Sequence, residues 1–120
     1  MVLNNPTEIY ETDLNGNFLR KITLSGFEDT EGITYLYDNK FAVVEERRGT
    51  VVVFDITNTT PFIDRNNAEV LQLPGTWGAN TGLEGISYDA STGKIFVVKE
   101  KTPRAFYSFA YPATLPLSTY

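Results

Sequence analysis

The sequence predicts an all-β protein built on an internal repeat. Three observations carry that expectation. Apolar and polar residues alternate with a period of two along most of the chain, as in strands with one face buried. Turn-forming clusters punctuate this pattern at short intervals: Asn15-Gly16, Asp38-Asn39 and Arg47-Arg48-Gly49. The segment Glu31-Gly32-Ile33-Thr34-Tyr35 also recurs as Glu84-Gly85-Ile86-Ser87-Tyr88, 53 positions later (31 to 84).

Taken in order, Thr7 to Leu14 and Asn17 to Leu24 are two strands joined at Asn15-Gly16. Asn-Gly suits the two positive φ angles of a type I′ turn, so this pair reads as a hairpin. Asp13 to Asn17 places oxygen-bearing side chains at alternate positions but departs from EF-hand spacing, with Leu24 where a Glu would stand. Ile33 to Tyr37, Phe41 to Glu46 and Val51 to Ile56 follow as strands. Phe41-Ala42-Val43-Val44 and Val51-Val52-Val53-Phe54 are nearly continuous apolar runs, the pattern of strands covered on both faces. Thr57 to Asn67 reads as a loop, Glu69 to Leu73 as a strand, and Pro74 to Gly82 as a loop holding the single Trp77. Ile86 to Asp89, Lys94 to Lys99 and Ala105 to Tyr111 complete about nine strands, with no helical segment.

The repeat extends downstream. Lys40-Phe41-Ala42-Val43-Val44-Glu45-Glu46-Arg47 matches Lys94-Ile95-Phe96-Val97-Val98-Lys99-Glu100-Lys101, with one residue inserted in the preceding turn. A period near 50 with several short strands per unit is the signature of β-propeller blades, antiparallel repeats of four strands. The expected organisation is a single propeller-like segment: outer strands of one blade at 7–25, a second blade at 26–74, and a partial third at 80–111. So few blades do not close a ring, so the expected partners are the remaining blades of a longer chain or further copies of this one. A nine-stranded β-sandwich is the alternative fold for this strand count.

Composition narrows the chemistry. The 120 residues carry 10 Lys+Arg against 15 Asp+Glu, a net charge of −5, which disfavours a nucleic-acid backbone as partner. No apolar run reaches the roughly 18–20 residues that cross a bilayer as a helix. The absence of Cys and His removes thiolate nucleophiles, imidazole bases and most transition-metal sites. Carboxylates and calcium, a hard cation that takes oxygen ligands, are what the side chains suit.

The candidate sites come from the repeat. Glu31 and Glu84 open the innermost strand of successive blades, where equivalent positions converge on a central channel. Carboxylates gathered there repel unless a cation or basic group neutralises them, so both are candidate calcium ligands; turn chemistry at Glu-Gly is the plainer reading. Glu46-Arg47 and Glu100-Lys101 end matched strands, and with Arg104 they form a charged rim able to grip a charged ligand, or else solvated ion pairs. Trp77 is a candidate stacking surface in its loop, and the remaining aromatics are expected in the core.

Gly26 to Tyr35, followed by Phe41 to Arg47, resembles the blades of the SdiA-regulated propeller family. Asn80 to Asp89, then Phe96 to Arg104, is similar to the next blade of that family. The resemblance covers about residues 7–111, only part of a family domain. It implies a propeller of poorly defined biochemical role, with calcium near the central channel a recurring theme among structural relatives and Glu31 and Glu84 similar to ligands in gluconolactonase-like propellers. It also implies a mild preference for a periplasmic or extracellular setting. The expected function is therefore a binding module, with calcium as the expected cofactor. A calcium-dependent phosphoesterase or esterase of the phytase-like or lactonase-like kind is the rival.

Overall fold

The computed structural model describes residues 1–4, 7–78, 82–101 and 104–112. Asn80, Thr81, Thr102 and Pro103 of the family-like motifs lie outside them. Eleven strands form three sheets among the described residues. Sheet one has the order β1 (Val2–Asn4), β2 (Thr7–Thr12), β3 (Phe18–Ser25), β7 (Phe62–Asp64). Sheet two has the order β4 (Thr30–Tyr35), β5 (Lys40–Glu45), β6 (Thr50–Asp55), β8 (Glu69–Gln72). Sheet three runs β9 (Leu83–Asp89), β10 (Lys94–Lys99), β11 (Ala105–Ala110). Three stacked sheets of three or four strands are the arrangement of partial propeller blades, not of a two-sheet sandwich.

The two apolar runs explain the stacking. Successive strand side chains point to opposite faces, so an uninterrupted apolar strand needs a neighbour on both sides. Val43, Val52 and Phe54 enter one core with Ile9, Ile22, Leu24 and Ile63 of sheet one. Ala42, Val44, Val51 and Val53 enter the other with Ile95, Val97, Tyr107 and Phe109 of sheet three. Ala42, Val43, Val44, Val51 and Val52 are completely shielded from solvent. Sheet two is thus the filling between the other two.

Two short strands depart from the expected reading. Val2–Asn4 pairs antiparallel with β2. Phe62–Asp64, within the expected loop, pairs parallel with β3 and leads into a 3-10 turn at Arg65–Asn67 capped by the Asp64 side chain. The connection between β6 and β8 therefore crosses to the neighbouring sheet before returning, which ties sheets one and two together. Not every pairing is antiparallel as a result.

The turns also redistribute. The positive φ pair of a two-residue I′ turn sits at Asp38 (48°) and Asn39 (66°), with Leu36 N–H and Lys40 N–H closing it on the Lys40 and Tyr37 carbonyls. At Asn15-Gly16 only Gly16 has positive φ, 85°, so the expected I′ turn is instead a three-residue loop. Asp13 closes that loop by accepting from the backbone N–H of Asn15 and Asn17, both at 2.9 Å.

Candidate functional site

β4 and β9 lie side by side as the first strands of their sheets, with the two Glu-Gly openings adjacent. A Cβ built on Gly32 would stand 3.6 Å from the Gly85 Cα and 3.5 Å from Ile86 Cγ2. Gly32 thus packs directly beside the Gly85-Ile86 backbone. Glu31 and Glu84 are both exposed at this mouth, and no side-chain hydrogen bond or ion pair engages either among the described residues. Burial, then the negative charges of Glu46, Glu84 and Asp29, hold the Glu31 carboxyl above its ordinary range. The structure therefore gathers an acidic cluster that includes Asp29, which the repeat did not flag. Asp29 follows Glu28 in a non-repeating turn and has φ of 51°.

Two of the expected rim residues are committed within the fold. Glu46 accepts the Gly82 N–H at 2.7 Å, which joins the end of sheet two to the start of sheet three. Arg47 Nε lies 2.9 Å from Asp29 Oδ2 in an exposed ion pair. The Glu46 N–H in turn donates to the Asp29 carbonyl at 2.9 Å, and the Glu100 N–H donates to the Gly82 carbonyl at 2.8 Å. The same backbone junction thus recurs in both repeats.

Glu100 and Arg104 stand between the end of β10 and the start of β11. With Glu84, Lys101, Val98 and Phe106 they line an open groove of about 820 Å3. Its charges are mixed, two carboxylates against the three cations of Lys99, Lys101 and Arg104, with Val98, Ala105 and Phe106 as apolar lining. Glu84 belongs to both the groove and the acidic mouth.

Trp77 is half-buried and is held rather than presented. Its Nε1 donates to the Leu73 carbonyl at 3.0 Å. Its ring lies 6.0 Å from that of Tyr107, and the buried Lys99 ammonium sits 5.2 Å from its centroid, a cation–π pair. The ring also packs on Gly49, where a Cβ would fall 2.0 Å from Trp77 Cδ2.

Among the described residues the carboxyl group with the most hydrogen bonds is that of Glu45, fully buried. Its Oε1 accepts from Arg65 Nη2 at 2.8 Å, Arg65 Nε at 3.0 Å and Thr50 Oγ1 at 2.7 Å. Its Oε2 accepts from Arg48 Nη1 at 3.1 Å and the Glu28 N–H at 3.0 Å. The sequence signal for it was the charge at the end of an otherwise buried apolar strand.

A family model for the SdiA-regulated proteins matches residues 1–115, almost the whole chain. The stacked sheets, the repeated Glu-Gly openings and this match together place the chain in the SdiA-regulated family.

Proposed function

We propose that this chain is a propeller-type binding module that takes a cation at the acidic mouth where the two Glu-Gly openings meet. The observation that supports this most is the packing of Gly32 against Gly85, whose Cα lies 3.6 Å from where a Gly32 Cβ would stand, which puts Glu31 and Glu84 on adjacent strand starts. Calcium is the metal ion that all-oxygen donors favour, and it takes six to eight of them. Glu31 and Glu84 would hold it, supplying about four at most if both are bidentate. Glu46 already accepts from Gly82 and Asp29 pairs with Arg47. Among the described residues no group of three or more Asp or Glu is arranged around a common metal position. Water would complete the shell, so the expected affinity is weak, about 10⁻⁴–10⁻³ M as in extracellular calcium modules.

Calorimetric titration of calcium chloride into the chain tests this. The expected result is a weak binding heat that disappears in the Glu31→Gln/Glu84→Gln double variant. No heat, or a heat the double variant retains, contradicts the reading. Calcium-dependent turnover of p-nitrophenyl phosphate that the double variant loses would assign the rival hydrolytic role to the same carboxylates.

A further inference from the structure

We infer that Asn15-Gly16 is a self-modifying site, where the chain deamidates through a cyclic imide, and that the loop closure made by Asp13 is the brake that sets its pace. This stands apart from the cation site and does not depend on it.

The sequence supplies the first observation. Of the chain's asparagines, Asn15 alone precedes glycine. The reaction brings the backbone nitrogen of the following residue onto the asparagine side-chain carbon, and a Cβ on that residue obstructs the approach. Glycine has none, and its backbone reaches unusual angles at little cost.

The loop supplies the second. Asn15 and Gly16 are both exposed. A Cβ built on Gly16 would meet nothing within 4 Å, so the approach is open. Among the described residues no hydrogen bond holds the Asn15 side chain. Asn17 is restrained by contrast, since its side-chain amide donates to Asp13 Oδ2 at 3.1 Å and the bulky Phe18 follows it.

Asp13 supplies the third. Its Oδ1 accepts from the N–H groups of Asn15 and Asn17, both at 2.9 Å. Its carbonyl accepts the Gly16 N–H at 3.1 Å, and its own N–H donates to the Asn17 carbonyl at 3.0 Å. The nitrogen that must attack is therefore engaged, and ring closure has to wait for the loop to open.

In the reaction the Gly16 nitrogen loses its proton and bonds to Asn15 Cγ. The Cγ–Nδ2 bond breaks, and ammonia leaves with that proton. Water then opens the imide at either carbonyl. One opening leaves an aspartate at position 15; the other leaves an isoaspartate, whose backbone runs through the former side chain and is one carbon longer. Both products add a negative charge two positions from Asp13. The longer one cannot keep all the bonds by which Asp13 closes the loop.

The test follows the intact chain by peptide mapping and mass spectrometry during prolonged incubation at mildly alkaline pH, beside the free peptide TDLNGNF. Position 15 should convert before any other asparagine, yet more slowly than in the free peptide. Asp13→Ala should convert about fivefold faster than the parent chain, the population gained when loop closure loses about one hydrogen bond of ordinary net strength. Asp13→Asn, which keeps one acceptor oxygen, should fall between them. The same Asp13→Ala change in the peptide, which has no loop to open, should alter its rate much less. Four results overturn the inference: another asparagine converting first, conversion as fast as in the free peptide, an Asp13→Ala rate equal to that of the parent, or an equal acceleration in the peptide.

Discussion

Glu45 and Lys99 occupy the same place in consecutive repeats, each at the end of the second strand of its sheet, and both are buried. Their charges are opposite and so are the means that accommodate them. Glu45 is enclosed by two guanidinium groups, a hydroxyl and a backbone N–H. Lys99 has the face of Trp77. The repeat therefore conserves a backbone path and a buried position, while each neighbourhood supplies its own neutralisation. A buried carboxylate with several donors draws on distant segments, here Arg65 from the connection that crosses to sheet one. A buried ammonium with a long alkyl stem can shield its charge against a local ring.

Breaking the first neighbourhood should have the largest effect. Glu45→Ala leaves Arg65 and Arg48 facing each other without their shared carboxylate. The expected loss is about 3–5 kcal/mol, as for a buried ion pair robbed of one partner, measurable by urea denaturation. Gly49→Ala comes next. It forces a side chain onto a backbone with φ of 65° and into the Trp77 ring. The strain and the overpacking together should cost about 2–4 kcal/mol, with a change in tryptophan fluorescence as the ring shifts.

Lys99→Met sharpens the contrast. It keeps the stem and the ring contact and removes a buried charge, so stability should change by about 1 kcal/mol or less. A loss comparable to that of Glu45→Ala would show that the ammonium has a partner the ring does not replace.

The smallest effect belongs to Glu31. Its carboxyl is raised by burial first and then by Glu46, Glu84 and Asp29, so the folded state favours its protonated form. Its contribution is fully present below the ordinary carboxylate pKa and is lost as pH rises through the raised value. Glu31→Gln should therefore stabilise the chain near pH 7 by about 0.5 kcal/mol or less, given its exposure, and should change nothing in acid. Thermal melts of both proteins across pH would check the sign.

The sequence made the larger elements legible because their physics is local. Continuous apolar runs at Phe41 to Val44 and Val51 to Phe54 announced a sheet covered on both faces, and the Glu-Gly repeat announced that β4 and β9 would be equivalent. β1 and β7 were not legible as strands, since three residues each carry too little periodicity and their pairing is set by β2 and β3. No I′ turn forms at Asn15-Gly16 because that loop is closed by the Asp13 side chain, a local competitor that the Asn-Gly signal does not reveal. The acidic mouth was half legible. Glu31 and Glu84 repeat, whereas Asp29 and the bond from Gly82 to Glu46 depend on how the sheets dock.

The central claim is that the two Glu-Gly openings converge on one mouth. The chain contains no cysteine, so nitroxide spin labels attached at Glu31→Cys and Glu84→Cys would report on that pair alone. Strong dipolar broadening of the electron paramagnetic resonance spectrum, absent from each single-label protein, is the predicted result. A doubly labelled spectrum equal to the sum of the two singles would place the openings far apart and contradict the account.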